Sequence, residues 1–104
     1  MRTDDAILIL LDWRQGEETA SVADLLGELA AVSMGVDQST VHRVIQRLRE
    51  SGLVTCPGHE HVQGRYLTRM YRLTRSGRRD ARRRKESIQK LLDTPPEDLL
   101  EDAS

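Results

Sequence analysis

At Gly52 the spacing of apolar residues changes period. Upstream, Val41, Val44, Ile45 and Leu48 recur at three- and four-residue intervals, the stripe of an amphipathic helix. Downstream, in "RYLTRMYRLT", Leu67, Tyr71 and Leu73 fall on one face and Tyr66, Thr68 and Arg72 on the other, the period of a strand. A chain of 104 residues builds one modest core. The helix and the strands after it must therefore share that core. With one Trp, two Tyr and no Phe, aliphatic side chains fill it.

The remaining elements follow from caps and breaks. Thr3 is placed to cap a first helix with Asp4 and Asp5 in its opening turn, where the helix dipole favours acids. Ile7, Leu8, Leu10 and Leu11 form its inner face, and the polar run Gln15–Thr19, with Gly16, reads as a turn. Ser21 and Asp24 resemble a capping box for a second helix carrying Val22, Leu25, Leu26, Leu29 and Ala30. A short connection holding Gly35 leads to Asp37, which is placed to cap the third helix. A strand from Leu53 to Thr55, broken at Pro57-Gly58, and the returning strand make a hairpin around the loop "GHEHVQGR". Thr74 caps a last helix that runs to Leu92 and stops at Thr94-Pro95-Pro96.

The order is helix, helix, helix, strand, strand, helix. Two helices joined by a short turn, followed at once by a hairpin, make a winged helix-turn-helix: mainly α with a small β-hairpin. The expected organisation is a winged helix-turn-helix over residues 1–74, a C-terminal helix over 75–93 for dimerisation and phosphate contact, and a flexible acidic tail over 94–104.

The formal net charge of −1 hides three blocks. Met1–Asp37 holds two arginines against eight acids, a net −6; Gln38–Lys90 holds fourteen Lys or Arg against four acids, a net +10; the last fourteen residues hold five acids and no base. Such a distribution predicts an acidic partner for the middle of the chain, with the two ends held clear of it. No apolar run is long enough to cross a bilayer and no basic-then-apolar leader is present, so the expectation is a cytoplasmic chain without a membrane. The single cysteine precludes an internal disulfide.

Two stretches resemble PadR-type transcriptional regulators, with MarR-like winged helices as near neighbours. The first is "TVHRVIQRLRESGLV", whose Leu48–Val54 is similar to the Leu-x-x-x-Gly-Leu-Val turn that ends the family's recognition helix. The second is "YRLTRSGRR", whose Tyr71–Gly77 matches the Tyr-x-Leu-Thr-x-x-Gly ending of the second wing strand. The chain departs from the family at Ser21-Val22, where a Gly-Tyr pair is usual, and in having one C-terminal helix where many members have a long helical region. The resemblance implies the fold and DNA binding. It implies no particular effector.

With the apolar stripe of the third helix turned inward, its open side shows Ser39, Thr40, His42, Arg43, Gln46 and Arg47. Arg suits guanine, Gln suits adenine, and Ser or Thr serve either or touch the backbone, so these types fit a helix read against the major groove. A solvated face is the alternative; it loses weight inside a helix-turn-helix and a +10 block. Arg65 at the wing loop is a candidate for the minor groove, and Arg69 and Arg72 on the returning strand for phosphates. Arg75, Arg78, Arg79, Arg82 and Arg83 form a further basic band on the last helix. Ala81, Ile88, Leu91 and Leu92 make a thin apolar seam there, packing either on the first helix or on a second copy; DNA modules of this class commonly pair about a twofold axis.

The expected function is therefore sequence-specific binding of double-stranded DNA by a homodimer at a palindromic operator, as a transcriptional repressor. A protein-interaction module is the rival, and would expose an apolar rather than an arginine-rich third helix. Cys56, His59 and His61 would suit a zinc-type ion in a metal-responsive repressor, against the plainer reading of a solvent-facing wing. No phosphate loop, His-Glu-x-x-His pair or nucleophile elbow is present, so neither an enzyme nor a cofactor is expected.

Overall fold

The structure, a computed structural model, describes residues 1–14, 18–62 and 66–97; for 59–62, 66 and 67 it describes the backbone alone. Its elements are α1 (Thr3–Asp12), α2 (Val22–Ala31), α3 (Gln38–Glu50), β1 (Val54–Val62), β2 (Tyr66–Leu73) and α4 (Arg75–Asp93). This is the order expected from the periodicity. The buried aliphatic residues, among them Ile7, Leu8, Leu11, Leu25, Leu29 and Ile45, come from α1, α2 and α3 and meet Val54, Tyr71 and Leu73 of the hairpin.

The helix starts are set by side chains that satisfy orphan N–H groups. Ser21 Oγ accepts from the Asp24 N–H at 3.1 Å while Asp24 Oδ2 accepts from the Ser21 N–H at 3.0 Å, a complete capping box. Asp37 Oδ1 accepts from the Thr40 N–H at 2.7 Å, and Thr74 Oγ1 from the Gly77 N–H at 3.0 Å. At α1 the cap lies one residue before the expected Thr3: Arg2 is the N-cap, its own N–H donating to Asp5 at 3.4 Å. Thr3 already has its place in the first turn.

Two helices end in the same way. After α3, Gly52 takes φ +76°, and the N–H groups of Gly52 and Leu53 donate to Arg49 O and Leu48 O at 3.0 and 2.9 Å, a Schellman closure. After α2 the left-handed position is Ser33, at φ 60°, with Ser33 and Met34 donating to Ala30 O and Leu29 O at 3.1 and 2.8 Å. The turn of the helix-turn-helix therefore bends at Ser33 and not at Gly35. An L-residue there costs roughly 1–2 kcal/mol that glycine avoids, offset by about 0.5–1 kcal/mol of extra chain entropy. Ser33→Gly is thus expected to stabilise the domain slightly, raising Tm by a few degrees in a thermal melt; an unchanged or lowered Tm would contradict the assignment of strain to this turn.

The hairpin differs from expectation in one respect. β1 does not break at Pro57-Gly58 but continues to Val62, pairing antiparallel with β2 from Val54↔Leu73 to Val62↔Tyr66, with a bulge between Thr55 and Gly58. A bulge takes up a residue that cannot join the ladder, which lets a two-stranded ribbon tolerate proline. A one-residue third strand lies outside the expected order of elements: Ala20 and Tyr71 exchange both backbone hydrogen bonds at 2.8 Å, tying the entry of α2 to the wing.

α4 lies on α1, and charged groups fasten the two. Arg84 reaches Asp4 at 3.2 Å, Asp5 at 2.7 Å and Asp80 at 3.0 Å, and Arg83 also pairs with Asp80. Lys85 meets Asp12 at 2.7 Å, while Arg78 meets Asp12 at 3.5 Å and donates to Arg14 O at 3.3 Å. Part of the basic block is thus neutralised within the chain: α1 supplies three of its carboxylate partners, Asp4, Asp5 and Asp12.

Candidate nucleic-acid interface

α3 is the most strictly two-sided of the three leading helices. Val41, Val44, Ile45 and Leu48 are all buried, while Ser39, His42, Arg43, Gln46 and Arg47 are exposed and Thr40 is half-buried. All four buried positions are the ones expected from the stripe. Both ends are fixed, by Asp37 at the start and the Gly52 closure at the finish, so the outward row is carried on a rigid element.

Local contacts hold this row in order. Arg43 Nη2 donates to Thr40 Oγ1 at 3.3 Å, and Gln46 Nε2 to Glu50 Oε1 at 3.3 Å. Thr40, Arg43, Gln46 and Arg47 edge a shallow depression floored by Val44. Hydrogen bonding to the Thr40 side chain and N–H, with the nearby Arg43 charge, holds the Asp37 carboxyl below the usual aspartate range despite a small opposing effect of desolvation. The cap is thus ionised at neutral pH, at the helix end whose dipole favours it.

Gln38 joins this exposed row, a position that the apolar stripe alone does not single out. It is the first residue of α3, exposed, with Nε2 3.4 Å from His42 Nε2. The signal for it is present in the sequence: it directly follows the cap, and the opening residues of such a helix reach deepest into a groove. Arg49, by contrast, turns away; its guanidinium stands 5.9 Å over the Tyr71 ring.

The wing residues divide. Side chains alternate along a strand, so Arg69 leaves β2 on the same side as buried Tyr71 and Leu73, and Arg72 on the other. They do not form one surface. Arg69 is exposed and Arg72 half-buried. Arg65 lies outside the described residues, as do the side chains of His59 and His61. Cys56 is half-buried and its thiol donates to Gly58 O at 3.4 Å. On α4, Arg78 and Arg83 engage carboxylates, whereas Arg75, Arg79 and Arg82 are exposed with no ion-pair partner among the described residues. Ala81 is fully buried against its own chain, Ile88 is half-buried, and Leu91 and Leu92 are exposed. No helix is long and apolar enough to cross a membrane.

No known family model and no curated protein matches this chain. Solved structures do. The fold is similar to that of a PadR-like transcription factor from Bacteroides fragilis, at TM-score 0.70 and 23% identity over 86% of this chain and 82% of that one. It is similar to Lactococcus lactis ZitR in its apo form, at TM-score 0.66 and 20% identity over 98% and 67% of the two chains. It is also similar to Bacillus subtilis PadR solved with operator DNA, at TM-score 0.64 and 20% identity, covering 89% of this chain and 48% of PadR, about half that protein's length. At these identities the likeness is one of fold, and that fold is the winged helix expected from the order of elements.

Proposed function

We propose that this chain is a PadR-like transcriptional regulator that binds double-stranded DNA sequence-specifically, entering the major groove with α3 and acting as a homodimeric repressor at a palindromic operator in the cytoplasm. One observation carries the reading: α3 spends every apolar residue inward and leaves Ser39, His42, Arg43, Gln46 and Arg47 exposed on a helix capped at both ends. The similar fold of PadR, solved on its operator, adds support from outside the chain.

In this reading Ser39, Thr40 and Arg43, near the start of α3, meet base edges or the nearest phosphates, with Gln38 and His42 beside them and Gln46 and Arg47 further along. Arg69, and Arg65 at the wing, meet the duplex alongside. Arg72 shares no face with Arg69, and if it touches DNA it does so from the opposite side of the ribbon. Exposed Arg75, Arg79 and Arg82 are placed for backbone phosphates, which add affinity without sequence preference.

The test is selection of bound duplexes from a random pool, followed by titration of the preferred site. The double variant Arg43→Ala/Arg47→Ala is expected to lose about a hundredfold or more in affinity for that site, since a bidentate arginine–guanine contact is worth roughly 1–3 kcal/mol, while keeping its helicity. Wild-type affinity for the selected site in the double variant would sink the assignment of α3. Binding should also weaken steeply with salt, by roughly a thousandfold between low and physiological ionic strength if about six phosphates are neutralised.

A further inference from the structure

Two glutamines stand on the outward face of α3, and each is held by the residue four positions on, the spacing at which helix side chains meet. Gln46 Nε2 donates to Glu50 Oε1 at 3.3 Å, and Gln38 Nε2 lies 3.4 Å from His42 Nε2. Their holders differ in kind. An ionised carboxylate accepts and never donates, so Glu50 keeps the Gln46 amide nitrogen turned toward it. An imidazole nitrogen accepts when bare and donates when protonated. A carboxamide nitrogen donates, so the Gln38 pair as it stands needs a neutral His42 with its proton on Nδ1.

We propose that Gln38 reads an adenine and that His42 sets which way round its carboxamide is offered, so that base preference at this position depends on pH. The inference rests on the proposed reading of α3 and deepens it, by naming one base contact and what regulates it. With its nitrogen turned to His42, Gln38 keeps its oxygen and its second N–H free on the outward edge. That acceptor and donor, side by side, match adenine N6 and N7 in the major groove. Gln38 is exposed and is the first residue of α3, and the opening residues of such a helix reach deepest. Protonating His42 puts an N–H where the bare nitrogen was. Two donors then face each other, and the carboxamide must turn over to bring its oxygen to the ring. The outward donor and acceptor exchange places, and an adenine that fitted the first arrangement is opposed by the second.

Little else competes for the imidazole. Among the described residues Gln38 is its one hydrogen-bond partner, and no charged group of α1, α2 or β1, which pack on α3, pairs with it. On α3 itself Arg43 turns to Thr40, and the Asp37 carboxylate is engaged by the Thr40 N–H. An imidazole ordinarily changes charge between about pH 5 and 8. The charge it gains also attracts phosphates whatever the sequence. Acid should therefore raise affinity for every duplex while erasing the preference at one base.

The test selects duplexes from a random pool at about pH 8 and about pH 5.5, on either side of the imidazole range, and titrates sites that differ at the selected adenine alone. The wild type is expected to prefer adenine there by about tenfold or more at the higher pH. It should lose most of that preference at the lower pH, while preference at the base met by Gln46 stays unchanged. Gln38→Ala should show no preference at the switched base at either pH. His42→Ala should keep a weaker adenine preference that does not change with pH, and His42→Lys, a permanent donor, should lack it throughout. Both positions are exposed, so helicity by circular dichroism should be kept. Equal adenine preference in the wild type at both pH values, a pH dependence that survives His42→Ala, or an adenine preference that survives Gln38→Ala each overturns the inference. If binding in that case still depends on Arg43 and Arg47, the reading of α3 stands without it; a chain that binds no duplex sinks both.

Discussion

Gly77→Ala is expected to destabilise the domain by about 3 kcal/mol or more, one of the largest costs of any single methyl group in the chain. A Cβ built at Gly77 would stand 2.0 Å from Leu53 O, 3.0 Å from Leu53 C and 3.1 Å from Leu73 Cδ2. The first two are backbone atoms, which cannot swing aside as a side chain does. Nor is that carbonyl free to move: it accepts the Thr74 N–H at 3.0 Å. Thr74 meanwhile donates its hydroxyl to Gly52 O at 2.6 Å and accepts the Gly77 N–H. One junction therefore joins the end of α3, the start of β1, the end of β2 and the first turn of α4. Opening it for a methyl group breaks several of these bonds together.

For a domain of this size a loss of about 3 kcal/mol lowers Tm by roughly 10–20 °C. Gly52→Ala provides the contrast: its φ of +76° disfavours a side chain, but nothing lies within 4 Å of the added atom, so the cost is the conformational one of about 1–2 kcal/mol. Thermal and denaturant unfolding of the two variants would rank them. Equal losses, or a Gly77→Ala protein within experimental error of wild type, would show that α4 can shift on Leu53 without penalty.

That junction also shows where the sequence was legible and where it was not. The Tyr-x-Leu-Thr-x-x-Gly pattern marked Thr74 and Gly77, and the cap could be read from Thr74 because a cap acts over three residues. The reason for the glycine lies at Leu53, more than twenty residues away, and nothing local to "LTRSG" points there. α3 was legible throughout for the opposite reason: its stripe, its cap at Asp37 and its stop at Gly52 are all local signals, and every one has its place in the fold. Proline at 57 misled because a breaker rule assumes a ladder on both sides. In a two-stranded ribbon with a bulge the missing N–H is tolerated. Counting charges along the chain likewise could not reveal that Asp4, Asp5 and Asp12 meet α4, since those partners are brought together only by the packing of the first helix on the last.

Arg84→Met is the second substitution expected to cost heavily, about 2–3 kcal/mol. This is below the 3–5 kcal/mol of a fully buried pair because a quarter of the Arg84 side chain meets solvent. The single guanidinium serves Asp4, Asp5 and Asp80, the last of these nearly buried. Burial disfavours its charge, but the hydrogen bonds to Asp4 and Asp5 and the charges of Asp80 and Asp4 outweigh that and raise its pKa. In return, Asp80 is lowered by its hydrogen bond to Arg83 and, against burial, by the charges of Arg84 and Arg83. Asp4 is lowered because its bond to Arg84 and the charges of Arg2 and Arg84 overcome desolvation. Carboxylates lowered on folding stabilise the fold above the ordinary aspartate value of about 4 and lose that contribution as pH falls through their folded values. Acid should therefore weaken the wild type below about pH 4. Methionine keeps the length of the side chain but removes the charge shared by Asp4, Asp5 and Asp80; Arg2 and Arg83 stay beside Asp4 and Asp80, so the lowering of these two pKa values shrinks. The variant should gain stability relative to the wild type as pH falls through and below about 4, because the wild type then loses a contribution that the variant already lacks. Adding Asp5→Asn to Arg84→Met should recover part of the loss at pH 7, whereas Asp5→Asn alone should destabilise. Unfolding curves at a series of pH values for the four proteins of this cycle measure the coupling directly; a pH-independent difference between Arg84→Met and the wild type would show that Arg84 holds α4 to α1 by packing and not by charge.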